Sequence, residues 1–192
     1  MGYSAITSQA LTAPPYLFSF FMVLAMAKLS DKNRSRGLYI GISAISAALG
    51  YAMLSIAGAA RWPNIVRYVF IFPTCAGFFS AITIIITWNL NNQSSDSKKG
   101  KALAIMNVIG QCGPLIGAQL YPKTDGPYYV KGMAICAGFM FGVFALAITL
   151  KVVLMKENRR IRTLPENGDE VAEPLVYQSE LVGLPRNFVY YT

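Results

Sequence analysis

Ala27-Lys28-Leu29-Ser30-Asp31-Lys32-Asn33-Arg34-Ser35-Arg36 sets four basic residues and one acid within ten positions, between two long apolar runs. Charge this dense is not stable in hydrocarbon, so the stretch reads as a short water-facing loop joining two membrane helices. Short loops rich in Lys and Arg stay on the cytoplasmic side of a membrane. With this loop inside, every other segment takes its orientation from it.

The surrounding composition agrees. Of 192 residues only 14% are charged and 54% are hydrophobic, with a mean hydropathy of +0.42. The apolar residues come in blocks of roughly 20, the length that crosses a bilayer at about 1.5 Å rise per residue. The fold class is therefore all-α, a polytopic membrane helix bundle. The formal charge of +8 does not point to nucleic acid, because the basic residues cluster at the ends of apolar runs, as membrane topology requires. Cys75, Cys112 and Cys136 each lie inside an apolar run without metal-ligand spacing and read as small buried residues. Histidine is absent, which removes the commonest general base and metal ligand. No catalytic set, metal or cofactor is expected. The N-terminus has no basic region before the first apolar run, so a cleaved signal peptide is not expected.

Five spans are predicted, at about residues 10–27, 38–60, 66–88, 101–120 and 133–155. Residues 1–9 form a lead, residues 10–162 the membrane part, and residues 163–192 a solvated cytoplasmic tail with five of the nine acidic residues. Pro14 and Pro15 are expected in the first helical turn, where a missing N–H has no partner to lose. Pro73 is expected to kink the third span. The second span is rich in small residues from Gly37 to Gly50, which permits close helix contact. Gly113 with Gly117, and Gly138 with Gly142, form two further GxxxG pairs. The topology places thirteen Lys and Arg inside and four (Arg61, Arg67, Lys123 and Lys131) outside, so the N-terminus is expected outside and the C-terminus in the cytoplasm. Both sequons, at Asn33 and Asn92, then fall inside and are not expected to carry glycans.

Several polar groups within the spans are candidates for a binding site. Ser80, Thr83 and Thr87 share a helix face and read either as a polar wall of a cavity or as hydroxyls bonded to backbone or a neighbouring helix. Asn107 and Gln111, four apart, share another face. A carboxamide at Gln111's depth needs a partner or water; it reads as cavity lining or as interhelical glue. Tyr16 and Phe20 read as a stacking surface for an aromatic substrate or as ordinary helix contact. A membrane-embedded enzyme is disfavoured, since no predicted span holds a histidine or a carboxylate.

These residues also carry a resemblance. The stretch from Ala27 to Arg36 resembles the G-x-L-x-D-R-x-x-x-R loop motif of the major facilitator superfamily, with Ala27 in place of its glycine. Leu11-Thr12-Ala13-Pro14-Pro15-Tyr16 resembles the L-T-x-P-P-Y opening of helix eight in the fungal anion:cation symporters, the allantoate and nicotinate permease group. Trp88 with Asn91, the segment from Lys101 through Gly110-Gln111-Cys112-Gly113, and Asp125-Gly126-Pro127-Tyr128-Tyr129 with Lys131-Gly132 are similar to that group's later motifs. Asn187-Phe188-Val189-Tyr190 resembles a degraded form of its F-R-Y tail. The five spans would then be helices eight to twelve of a twelve-helix carrier, preceded by the end of helix seven at Gly2-Tyr3-Ser4.

The resemblance implies a C-terminal part of a proton-coupled plasma-membrane symporter for small organic anions of the carboxylate vitamin or ureide class. Its partners would be the lipid bilayer, the substrate, protons and the N-terminal half of the carrier. Gln111, Asn107, Ser80, Thr83 and Tyr16 would face substrate, and Asp31, Arg34 and Arg36 would form a cytoplasmic gating loop. The coupling group would belong to the N-terminal half, and the chain alone is not expected to transport. The alternative is a truncated, non-transporting membrane protein that associates with a full-length relative.

Overall fold

The computed structural model describes residues 5–33, 35–93, 95–122, 125–126 and 128–162. They form α1 (Ala5–Asn33), α2 (Arg36–Ala59), α3 (Asn64–Asn91), α4 (Asp96–Leu120) and α5 (Val130–Arg162), with no strand among the described residues. All five helices are long and apolar enough to cross a membrane. The shortest has 24 residues and the longest 33. They are thus about 36–50 Å long against a hydrocarbon core of about 30 Å, so their ends project into the headgroup region. The tail from residue 163, the resemblance at residues 2–4, and Arg34 of the expected gating loop lie outside the described residues.

The helices run further than the apolar blocks that predict them. Most of the basic stretch is helical: α1 continues to Asn33 and α2 starts at Arg36, leaving only residues 34–35 between them. The polar segment after Trp88 behaves alike, with α3 reaching Asn91 and α4 starting at Asp96. A helix satisfies its own N–H and C=O groups, which matters most beside hydrocarbon, and Lys, Asn and Ser do not forbid it. The α4 start is capped by Ser95, whose side chain accepts from the Lys98 N–H, and Asp96 pairs with Lys99 at 3.0 Å. The lead is likewise partly helical, since α1 begins at Ala5. Pro14 and Pro15 are therefore interior to α1 rather than in its first turn. Pro15 lacks the N–H that would bond the Leu11 carbonyl. That carbonyl instead accepts from the Tyr68 hydroxyl of α3 at 3.0 Å. The compensation joins two helices where one has lost a bond. α3 runs on as a helix through Pro73.

α2 is the centre. It packs along α3 on one side and α5 on the other, while α1 lies on α3 and α4 sits at the edge. The small residues expected to allow close contact do so. A Cβ on Gly77 of α3 would stand 2.5 Å from the Ser43 carbonyl oxygen and 2.7 Å from the Ala47 nitrogen of α2. Gly50 meets Thr74 in the same way. On the other face Gly41 admits Phe144 and Ile148, and Gly37 admits Lys151 and Trp88. The apolar cluster of Ile40, Ile84, Trp88 and Ala147 fills the space between these helices. The GxxxG pairs of α4 and α5 have a different fate: Gly113, Gly117, Gly138 and Gly142 all look onto open space. The motif supplies a surface for close approach, but approach needs a facing helix.

The two ends of the bundle differ in chemistry. The α1–α2 and α3–α4 connections and the end of α5 lie together and form the basic end. The α2–α3 and α4–α5 connections form the opposite, tyrosine-rich end. There α2 ends at Ala59 with Ala60 as its C-cap, and Arg61 adopts a left-handed φ of 52°. The Trp62 N–H bonds the Ala57 carbonyl and the Arg61 N–H bonds that of Gly58, the pattern of a Schellman cap with Pro63 following.

Candidate functional site

At the basic end the structure assembles a polar knot from four helices. Arg36, the first residue of α2, is 7% exposed. Its Nη2 donates to Asp31 Oδ1 of α1 at 2.7 Å. The Asn91 amide oxygen, at the end of α3, accepts from both Nη1 and Nη2 at 2.7 Å each in the orientation that satisfies both groups. The planar guanidinium suits such a fork of acceptors. From α5, Lys151 Nζ donates to Ser35 Oγ at 2.9 Å. Asn33 Nδ2 donates to the Tyr39 hydroxyl, closing the α1–α2 corner. A small cleft beside Arg36 is lined by Ala27, Ser30, Asp31, Thr83, Ile84 and Thr87. Of the expected gating residues, Asp31 and Arg36 thus meet.

The candidate substrate residues are not brought together as one site. Ser80 is buried, and its hydroxyl has no hydrogen-bond partner among the described residues. Thr83 and Thr87 are exposed and bond back to the Phe79 and Thr83 carbonyls at 2.8 and 2.9 Å, so the backbone-bonded alternative describes their hydroxyls. They line the cleft at the basic end. Tyr16 is 54% exposed, with its ring tilted against Phe79 at a centroid distance of 5.6 Å. Phe20 stacks edge-on against Phe21. Asn107 and Gln111 are exposed on α4. Because α4 starts at Asp96 and has 25 residues, Gln111 lies three residues beyond its centre, an axial offset of about 4.5 Å.

α4 is set apart from the other helices. None of its residues is buried. It touches α3 where Asn89 Nδ2 approaches Met106 Sδ, and α5 where Gly132 lies against the Leu120 carbonyl. Its exposed surface is mixed: Val108 and Ile109 alternate with Asn107, Gly110, Gln111 and Gly113. That of α5 is apolar through Phe139, Leu146 and Val153.

The tyrosine-rich end holds a group that sequence reasoning treated only as one of four outside charges. Arg67 of α3 is 7% exposed and carries the Tyr128 ring over its guanidinium, 4.8 Å from the ring centroid. An arginine two places into an expected span was the available signal. Nearby, Tyr121 packs on Tyr129 and its hydroxyl lies 3.2 Å from Cys136 Sγ. Burial first, then the hydrogen bond with that thiol, raise the Tyr121 phenol above its ordinary range, so it stays neutral. Among the described residues, no cluster of His, Cys, Asp or Glu is arranged to hold a metal ion.

No family model matches the chain, and no solved structure matches it. Curated relatives do. The MFS-type transporter cnsO of Penicillium expansum is 29% identical over 177 residues, covering 90% of this chain and 33% of that protein. The high-affinity nicotinic acid transporter of Saccharomyces cerevisiae is 24% identical over 192 residues, covering 99% and 35%. An uncharacterized transporter of Schizosaccharomyces pombe, C1039.04, is 26% identical over 161 residues, covering 83% and 31%. The chain spans about a third of the length of the curated relatives it matches. Five membrane-crossing helices and this similarity make it a multi-pass membrane protein whose relatives are MFS-type transporters rather than enzymes.

Proposed function

We propose that the chain is the C-terminal, five-helix part of a secondary transporter for small organic anions, in the manner of the allantoate and nicotinate permease group. In this reading the basic end faces the cytoplasm, the membrane is the plasma membrane, and α4 faces the N-terminal half of the carrier. The observation that carries it is α4. Asn107 and Gln111 lie within a membrane-length helix, and neither makes a side-chain hydrogen bond among the described residues. A carboxamide facing lipid is costly, so such a surface belongs against another helix or a water-filled path. Carriers of this architecture bind substrate near the midplane, between their halves. A neutral amide both donates to a carboxylate and accepts from a substrate N–H.

Asp31 and Arg36 fit a gate on the cytoplasmic side, with Asn91 holding the arginine in place. Proton coupling then belongs to groups outside this chain. Its four described acids, Asp31, Asp96, Asp125 and Glu157, all lie near helix ends or in a connection.

A chimera tests the reading. The chain replaces the matching third of the Saccharomyces cerevisiae nicotinic acid transporter, and uptake of a radiolabelled carboxylate is measured with the amount of membrane protein quantified. Saturable uptake is expected, and Gln111→Leu should weaken the apparent affinity by about 1–2 kcal/mol, the scale of one lost polar contact. Normal membrane levels with an unchanged affinity would remove Gln111 from the site. Uptake by the reconstituted 192-residue chain alone would refute the need for a second half.

A further inference from the structure

Arg67 is a buried cation whose guanidinium finds no hydrogen-bond acceptor among the described residues. Its Nε is enclosed and without a partner. No hydrogen bond or ion pair to any of its guanidinium nitrogens occurs among the described residues, and the residue as a whole is 7% exposed. Asp125 is the only described acid at this end of the bundle, and it lies 3.8 Å from Lys131 Nζ. Arg61 and Lys131 add further positive charge there.

Desolvating a guanidinium without an acceptor is expensive. The Tyr128 ring offsets part of that through a cation–π contact. This contact satisfies none of the guanidinium N–H groups, and Nε is enclosed without an acceptor. Those N–H groups form the fork that a planar carboxylate fits with two parallel hydrogen bonds. The site has a firm frame. Arg67 N–H bonds the Pro63 carbonyl at 3.3 Å at the start of α3. Tyr128 rests against Gly58 at the end of α2, and Ser55 Oγ holds the Val130 carbonyl at 3.1 Å.

We propose that Arg67 and Tyr128 form a binding site for a small carboxylate solute at the tyrosine-rich end, separate from α4. The proposal does not depend on the transport reading, because occupancy is measured on the chain itself. The ligand contributes the counter-charge that the described residues do not supply, with the Tyr128 ring packed beside the guanidinium.

The test is the Nε–Hε resonance of Arg67 in the 15N-arginine-labelled chain, held in phosphatidylcholine nanodiscs. The resonance is assigned by its disappearance in Arg67→Lys and, independently, by its displacement in Tyr128→Leu, which removes the ring current. Sodium benzoate is titrated against benzyl alcohol, inorganic phosphate and sodium chloride at matched ionic strength. Benzoate should shift the Arg67 resonance saturably, while Arg36, already engaged by Asp31 and Asn91, stays in place. Tyr128→Leu should weaken benzoate binding several-fold. No saturable shift overturns the proposal. An equal response to chloride or phosphate overturns the carboxylate assignment, and an equal response to benzyl alcohol shows partition into lipid and overturns it too.

Discussion

Arg36 and Arg67 are buried to the same degree, 7% exposed, at opposite ends of one bundle. Arg36 has a carboxylate and an amide oxygen on its guanidinium. Arg67 has one aromatic ring and no acceptor among the described residues. Equal burial therefore describes two different states. At the basic end the last turns of α1 and α3 converge on the first residue of α2, and each brings a polar side chain. At the tyrosine-rich end the α4–α5 connection brings an aromatic ring, and the acid at that end lies by Lys131. The first arginine acts as a clasp, whereas the second is a receptor.

This contrast predicts stability changes of opposite sign, measured by unfolding of the reconstituted chain. Arg36→Leu should destabilise by about 2–3 kcal/mol, because it strands the Asn91 amide and unties three helices at once. A change near zero would mean that the clasp contributes nothing. Lys151→Met should cost about 1 kcal/mol, the value of a single net hydrogen bond to Ser35, with the aliphatic stem beside Gly37 preserved. Asp31→Asn should cost less than 1 kcal/mol or so. The Asp31 side chain is 63% exposed, so solvent screens the ion pair, and Asn91 remains. Arg67→Leu should be neutral or slightly stabilising in the ligand-free protein, since it removes an uncompensated charge. A loss comparable to that of Arg36→Leu would show Arg67 to be a second clasp and erase the contrast.

Parts of this arrangement are legible in the sequence, and the limit has a physical cause. Small residues between Gly37 and Gly50 read as a contact surface and form one, because α2 has neighbours on both sides. Gly113, Gly117, Gly138 and Gly142 read the same way and face no neighbouring helix among the described residues, because a small-residue motif says what may approach and not what does. The hydroxyls of Thr83 and Thr87 bond their own helix, a choice local sequence leaves open. Asp31 and Arg36 are close in sequence and both belong to the expected gating loop. The third partner, Asn91, comes from another helix and has no local signature. Pro15 announces a missing bond, but only the fold reveals Tyr68 as its replacement.

Five apolar blocks with charge at their ends suffice to determine five membrane-crossing helices, since the bilayer acts on each segment by its own length and hydropathy. They also determine that basic residues gather at one end of the bundle. Which helix becomes the centre, which polar groups on α4 stay uncovered and which buried arginine is satisfied are decided by tertiary structure. Lipid is as apolar as the side chains, so hydrophobicity does not sort one helix face from another. Shape and hydrogen bonding do that: a glycine that admits a carbonyl, a hydroxyl that replaces a lost N–H, an amide that meets a guanidinium. Each of those requires two segments in register.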